Sequence, residues 1–143
     1  HVWPESLPVL VRLSATDWLD GGWTVDETVE LCRELKGLGV DLIDVSSAGL
    51  SPKATIPAGP GFQVEFAARV RREAGIPSAA VGLITSPQQA EDAIRSRQAD
   101  ALLRGRELLR DPSRPLPTPH ARGHAANWPA QYLRAAPAGS AAR

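Results

Sequence analysis

The stretch ADALLRGRELLRDP, residues 99–112, holds the key to the fold. A short apolar run, Ala101-Leu102-Leu103, ends at Arg104-Gly105-Arg106; a helical Glu107-Leu108-Leu109-Arg110 follows, and Asp111-Pro112 stops it. A buried strand that surfaces into a turn and then a helix is one step of a parallel βα protein. The glycine lets a backbone N–H approach a ligand, the arginine offers a fork of charged donors, and the helix behind them directs its positive end to the same place. The turn therefore suits an anion such as phosphate, with a plain turn glycine and a surface arginine as the alternative.

The same step recurs towards the N-terminus. Upstream, IPSAAVGLI reads as a buried strand and TSPQQAEDAIRSRQ as a helix, with Ser86 as N-cap, Pro87 at the first helical position and Gln89 completing a capping box. Before that, VDLIDVSS is a strand, AGLSPKATIPAGPG a loop, and a helix runs from about residue 63 to 74 with Val64, Ala67, Ala68 and Val70 on its inner face. First in the series, PVLVRLSA is a strand and TVDETVELCRELKGLG a helix. Thr24 and Glu27 form its capping box, Val25, Val29, Cys32 and Leu35 its apolar stripe, and Gly37 and Gly39 its end. Apolar strands alternating with amphipathic helices give an α/β fold, a parallel sheet covered by helices. A doubly wound sheet and half of a TIM (β/α)8 barrel both fit. Residues 8–112 hold about four βα units; 113–143, rich in Pro, Gly, Ala and Arg, read as an irregular tail with a short ordered piece near Trp128 to Arg134.

Composition narrows the function. Of 143 residues 43% are hydrophobic and 22% charged, and Lys+Arg and Asp+Glu are both 16. A formal charge of zero gives no support to nucleic acid or an anionic membrane as partner. No apolar run approaches the ~20 residues of a membrane span. The single cysteine, Cys32, excludes an internal disulfide and suits the cytoplasm. The chain has no methionine and starts at His1, so it reads as a segment of a longer protein.

Parallel βα proteins bind ligands at the C-terminal ends of their strands. There stand Arg12, Ser14 and Asp17 after the first strand, Asp44, Ser46, Ser47 and Gly49 after the second, Gly82 after the third, and Gly105 and Arg106 after the fourth. Gly82 reads equally as a tight turn or a ligand contact. Arg12, at the end of an apolar strand, either pairs with Asp44 or Asp17 or meets an anionic ligand, because burial unpaired is costly. Other signals read as structural. Cys32 is an inert core thiol, and Arg69, Arg71 and Arg72 are a solvated helix face. His120 and His124, spaced H-x3-H beside Gly123 and prolines, make no metal site. Trp18 and Trp23 line the mouth or cover an apolar edge.

The motifs VRLSATDWLDGGWTVDETVELCRELKGLGVDLIDVSSAG, PAGPGFQVEFAARVRREAGIPSAAVGLIT and ADALLRGRELLRDP, in that order, with WPAQYLRA near the end, resemble the C-terminal half of an Old Yellow Enzyme family flavoprotein of the xenobiotic-reductase-like branch. The resemblance implies a segment made of the fifth to eighth units of a (β/α)8 barrel, with FMN across the mouth, NADPH as reductant and an enone or related electrophile as substrate. By the same resemblance Arg12 meets the N1 and O2 edge of the flavin, and Gly82, Gly105 and Arg106 surround its phosphate on the same rim. Arg134, in QYLRA, reaches a neighbouring subunit's substrate site.

The sequence also departs from the family. Ser113-Arg114 stand where an aromatic is usual, Arg104 where an apolar residue is commoner, and TPHARGHAAN has no counterpart. The family's histidine pair, proton-donating tyrosine, and flavin-side cysteine and glutamine belong to an N-terminal half that is not present, and His1, His120 and His124 lie outside the βα units. The expectation is an ene-reductase segment with no catalytic residue of its own, inactive when isolated, that forms a homo-oligomer or joins a missing half-barrel. The other reading is a non-catalytic half-barrel that binds a phosphate ligand or self-associates.

Overall fold

The computed structural model describes residues 2–113, 115 and 125–138. The chain packs as two compact units, one ending at Leu103 and the other beginning at Arg104. The first unit holds β1 (Leu10–Ser14), α1 (Val25–Gly37), β2 (Leu42–Ser46), α2 (Val64–Arg69), a π-helical turn (Val70–Ala74), β3 (Ser78–Ala80), α3 (Pro87–Arg95) and β4 (Ala101–Leu102). The second unit holds α4 (Gly105–Arg110) and a 3-10 helix (Ala130–Ala135). His1, Arg114, His120 and His124 lie outside the described residues. Among the described residues no helix is long and apolar enough to cross a membrane.

The strands form one parallel sheet in the order β1-β2-β3-β4. Its register places Arg12 beside Asp44, Asp44 beside Ala79, and Ala79 beside Ala101, so these four share one face. The opposite face carries Ile43, Val45 and Ala80, packed with Val29 and Cys32 of α1 and Ala67 and Val70 behind them. Ile43 and Val45 are fully buried, and each such side chain contributes about 1.5–3 kcal/mol of transfer free energy. The helical members of this cluster come from α1, α2 and the π turn. Along β1 the other side is open, and Leu10 is 60% exposed.

Local signals explain the helix starts. At α1 the Thr24 hydroxyl accepts from the Glu27 N–H (3.3 Å) and the Glu27 carboxylate accepts from the Thr24 N–H (2.8 Å), which is the complete capping box. The helix ends at Gly37, and Gly39 turns the chain at φ +92°. At α3 Ser86 accepts from the Gln89 N–H (3.0 Å), but Gln89 Oε1 takes the N–H of Thr85 rather than that of the cap residue (3.1 Å).

Two expectations need revision. The helix expected from about residue 63 to 74 is α-helical only to Arg69 and then widens into the π turn. Nor are all its arginines simply solvated. Arg69 donates to Asp26 of α1 (2.7 Å) and to Glu73 (3.0 and 2.9 Å), and Arg71 donates to Asp100 (2.9 and 3.0 Å). Asp100 also accepts from the Ser78 N–H (3.0 Å), which ties the entries of β3 and β4 together. Arg72 is the most exposed of the three, with 61% of its side chain in the open, yet it too donates to Glu73 (3.0 Å).

Candidate functional site at the strand ends

Because the four strands are parallel, their C-terminal ends meet along one edge of the first unit, and the βα loops rise from it. The Arg12 side chain leaves the open face just below that edge. Its Nη1 donates to Asp44 Oδ2 (3.1 Å) and its Nε to Ser46 Oγ (3.4 Å), while the Ser46 hydroxyl donates to the Leu13 carbonyl (3.2 Å). Arg12 therefore pairs with Asp44, not Asp17, whose Oδ2 accepts from the Trp23 N–H (2.9 Å). The pairing does not bury the arginine, for 57% of its side chain stays exposed against 11% for Asp44. A cation anchored along one edge and open along the other can still meet an anionic ligand.

Asp44 is in an unusual position. Its Oδ1 is buried and has no hydrogen-bond partner. Burial pushes its carboxyl above the usual carboxylate range, and the charge and hydrogen bond of Arg12 only partly counter it.

The loops above carry strained backbone. Trp18 (φ +57°) follows β1, Ala48 (φ +76°) follows β2, and Gly82 (φ +114°) and Leu83 (φ +51°) follow β3. Side chains tie these loops together. Trp18 Nε1–H donates to Ser47 Oγ (3.0 Å), Ser47 Oγ–H donates to Gln63 Oε1 (2.7 Å), and Gln63 Nε2–H donates to the Val81 carbonyl (2.9 Å). The Trp18 ring also meets Phe66 at 5.5 Å between centroids. Trp23 Nε1–H donates instead to the buried Thr28 hydroxyl (2.6 Å), so it braces α1. The Gly82 carbonyl accepts from the Gly61 N–H (3.0 Å), whereas the Gly82 N–H donates to no acceptor among the described residues.

Both Arg12 and Gly82 belong to the first unit, but Arg12 is the middle residue of β1, level with Asp44 and Ala79, rather than at the strand's end, and Gly82 follows the end of β3. Gly105, Arg106 and Arg134 belong to the second unit, where Gly105 and Arg106 open α4 and Arg134 lies in the 3-10 helix, all three exposed. Cys32 is fully buried in the core, and burial pushes its thiol up to about 11. Among the described residues no three metal-ligating side chains come together. Sequence reasoning missed Gln63. It is only 4% exposed, yet a glutamine before a helix gives no sign that it will be buried.

A parallel sheet with helices between its strands and glycine-turned loops past the strand ends is a βα fold of the kind that binds ligands at that end. No family model matches the chain. It is 47% identical over 127 residues to the NADPH dehydrogenase of Geobacillus thermodenitrificans, covering 89% of this chain and 37% of that relative. It is 43% identical over 128 residues to the NADPH dehydrogenase of a Listeria monocytogenes strain, covering 90% of this chain and 38% of that one. Among solved structures, a 2-naphthoyl-CoA reductase in complex with 2-naphthoyl-CoA matches with a TM-score of 0.69 at 23% identity, over 85% of this chain and 19% of that chain, a likeness of fold. The chain is homologous to Old Yellow Enzyme family NADPH dehydrogenases and spans 37–38% of the length of these two.

Proposed function

We propose that the chain supplies the flavin-holding strand ends of an FMN-dependent NAD(P)H oxidoreductase of the ene-reductase type, as the C-terminal half of a (β/α)8 barrel in the cytoplasm. The strand order supports the half-barrel. It advances in one direction from β1 to β4, as strands do around a barrel, whereas a doubly wound sheet reverses at a switch point. The observation that carries the reading is Arg12, an arginine fixed on one side by Asp44 and Ser46 with the rest of its side chain exposed on the face of β1.

The residues of the first unit fit a phosphate-bearing flavin. When bound, the flavin carries hydride from NADPH to the activated C=C bond of an enone or related electrophile. Arg12 sets a permanent positive charge beside the pyrimidine edge of the ring and stabilises negative charge there without reorganising, because Asp44 and Ser46 already hold it. The Gly82 N–H would donate to a phosphate oxygen. Gly105 and Arg106 are assigned to the same phosphate by family resemblance, and Arg134 to the substrate held by a neighbouring copy. No described residue of this segment is assigned the proton-donor role, so the chain alone binds cofactor without turning over substrate.

The test is the visible flavin absorbance of the purified chain after addition of FMN and gel filtration. Retained yellow colour, lost in Arg12→Leu, with no enone-dependent oxidation of NADPH, is the expected result. A colourless chain refutes the reading, as does binding that ignores Arg12. The exposure of Leu10 (60%) on the first strand and of Val9 (38%) just before it favours a second reading, a half-barrel that merely self-associates. A colourless dimer in sedimentation would select it.

A further inference from the structure

We propose that Gln63 is a positioning residue for the phosphate end of the cofactor, acting through the Gly82 turn; the proposal rests on the flavin reading above. Each of the first three βα loops holds a non-glycine residue in the left-handed region: Trp18, Ala48 and Leu83. Such residues cost about 1–3 kcal/mol each and persist only where their surroundings enforce them. One hydrogen-bonded series links the three loops. It runs from the Trp18 indole through the Ser47 hydroxyl to the Gln63 amide and ends on the Val81 carbonyl.

The polarity of this series leaves the amide one orientation. Gln63 Oε1 must accept from Ser47, so Nε2 must donate to Val81. The peptide joining Val81 to Gly82 is planar and trans, so its C=O and N–H point in opposite directions. Holding the Val81 carbonyl towards Gln63 therefore aims the Gly82 N–H away from Gln63, to the side where it meets no acceptor among the described residues. Gln63 can approach this closely only because residue 82 is glycine. A Cβ added there would lie 2.6 Å from Gln63 Nε2 and 3.0 Å from Phe62 Cε1. Gln63 thus makes no contact with the cofactor itself. It fixes the direction in which one backbone donor points.

The test compares the dissociation constants of FMN and of riboflavin, which lacks the phosphate, on the full chain. Three variants are used: Gln63→Met, Ser47→Ala, and Ser47→Thr as the conservative rescue. The unsubstituted chain is expected to prefer FMN over riboflavin. Gln63→Met is expected to weaken FMN about tenfold, a loss of the order of one aligned hydrogen bond, with riboflavin unchanged. Ser47→Ala should do the same to a smaller degree, and Ser47→Thr should restore the preference. Faster hydrogen exchange in the variants at Gly61, whose N–H donates to the Gly82 carbonyl, with the α1 amides unaltered, is the accompanying signature. Should Gln63→Met fail to fold, Ser47→Ala against Ser47→Thr decides. An unsubstituted chain that binds neither ligand, or both equally, removes the cofactor reading and this proposal with it. A chain that prefers FMN and keeps that preference in the folded variants overturns the proposal alone.

Discussion

Replacing Asp44 with asparagine is expected to stabilise the fold at neutral pH, although it breaks an ion pair. Residue 44 is 8% exposed and one of its carboxylate oxygens is buried without a partner. Leaving a buried acceptor unsatisfied costs about 1–3 kcal/mol, and more when it is charged. Against this stands the attraction to Arg12, whose side chain is 57% exposed and so contributes only about 0.2–1 kcal/mol. Asparagine keeps an acceptor for Arg12 Nη1 and removes the buried charge. Its amide N–H groups then occupy the partnerless side, which takes back part of the gain. The net expectation is a gain of about 0.5–1.5 kcal/mol for Asp44→Asn at pH about 7. The sign with pH follows from the direction of the shift. Burial raises the folded-state pKa of Asp44 above its ordinary value of 3.8, so the folded state holds this proton more tightly than the unfolded chain does. The stability contributed by Asp44 is full below the unfolded value and is lost as pH rises through the folded one. The advantage of Asp44→Asn must therefore shrink towards zero by pH about 3. Urea unfolding of both proteins at the two pH values, with equal m-values, measures it. A variant destabilised by more than about 1 kcal/mol at neutral pH, or a difference that ignores pH, would show that the Arg12 pair outweighs the burial cost.

Two further predictions come from the same region and from the core. Gly82→Ala should destabilise the chain by about 2–3 kcal/mol in chemical denaturation, because φ +114° and the close approach of Gln63 both oppose a Cβ; a loss under about 0.5 kcal/mol would mean that the turn relaxes. The Cys32 thiol, fully buried and pushed up to about 11 from 9.0, should resist thiol reagents in the folded chain and react promptly in denaturant. Its raised value also predicts stability that is full below pH 9.0 and is lost as pH climbs towards about 11. Alkaline unfolding that is identical in Cys32→Ala once the lost side-chain packing is subtracted would contradict this.

What the sequence revealed was what neighbouring residues decide. The alternation of strands and helices, the Thr24–Glu27 box and the buried stripe through Val29 and Cys32 are short-range patterns, and each appears in the structure. The partner of Arg12 stayed open between Asp44 and Asp17 because that choice depends on strand register, which aligns Arg12 with Asp44 across an intervening helix. Arg69 and Arg71 looked solvated because their partners Asp26 and Asp100 lie 43 and 29 residues away. Gln63 was invisible for the same reason, since its neighbours come from separate loops. The widened turn after Arg69 left no trace either, because the apolar spacing from Val64 to Val70 is what an ordinary helix would show.

That widened turn has a consequence for how the chain tolerates change. A π turn carries one residue more than the α turn it replaces, so the segment Val70–Ala74 holds slack that its flanks do not need. Val70 and Ala74 are spent on the interior, and Arg71 and Glu73 on ties to other segments; Arg72 is the residue least engaged. Excising Arg72 is expected to close the coil to standard pitch and leave α2 and β3 seated, which an unchanged urea midpoint would show. The same deletion inside α1, where no such surplus exists, would drag every following residue around the axis by roughly 100°.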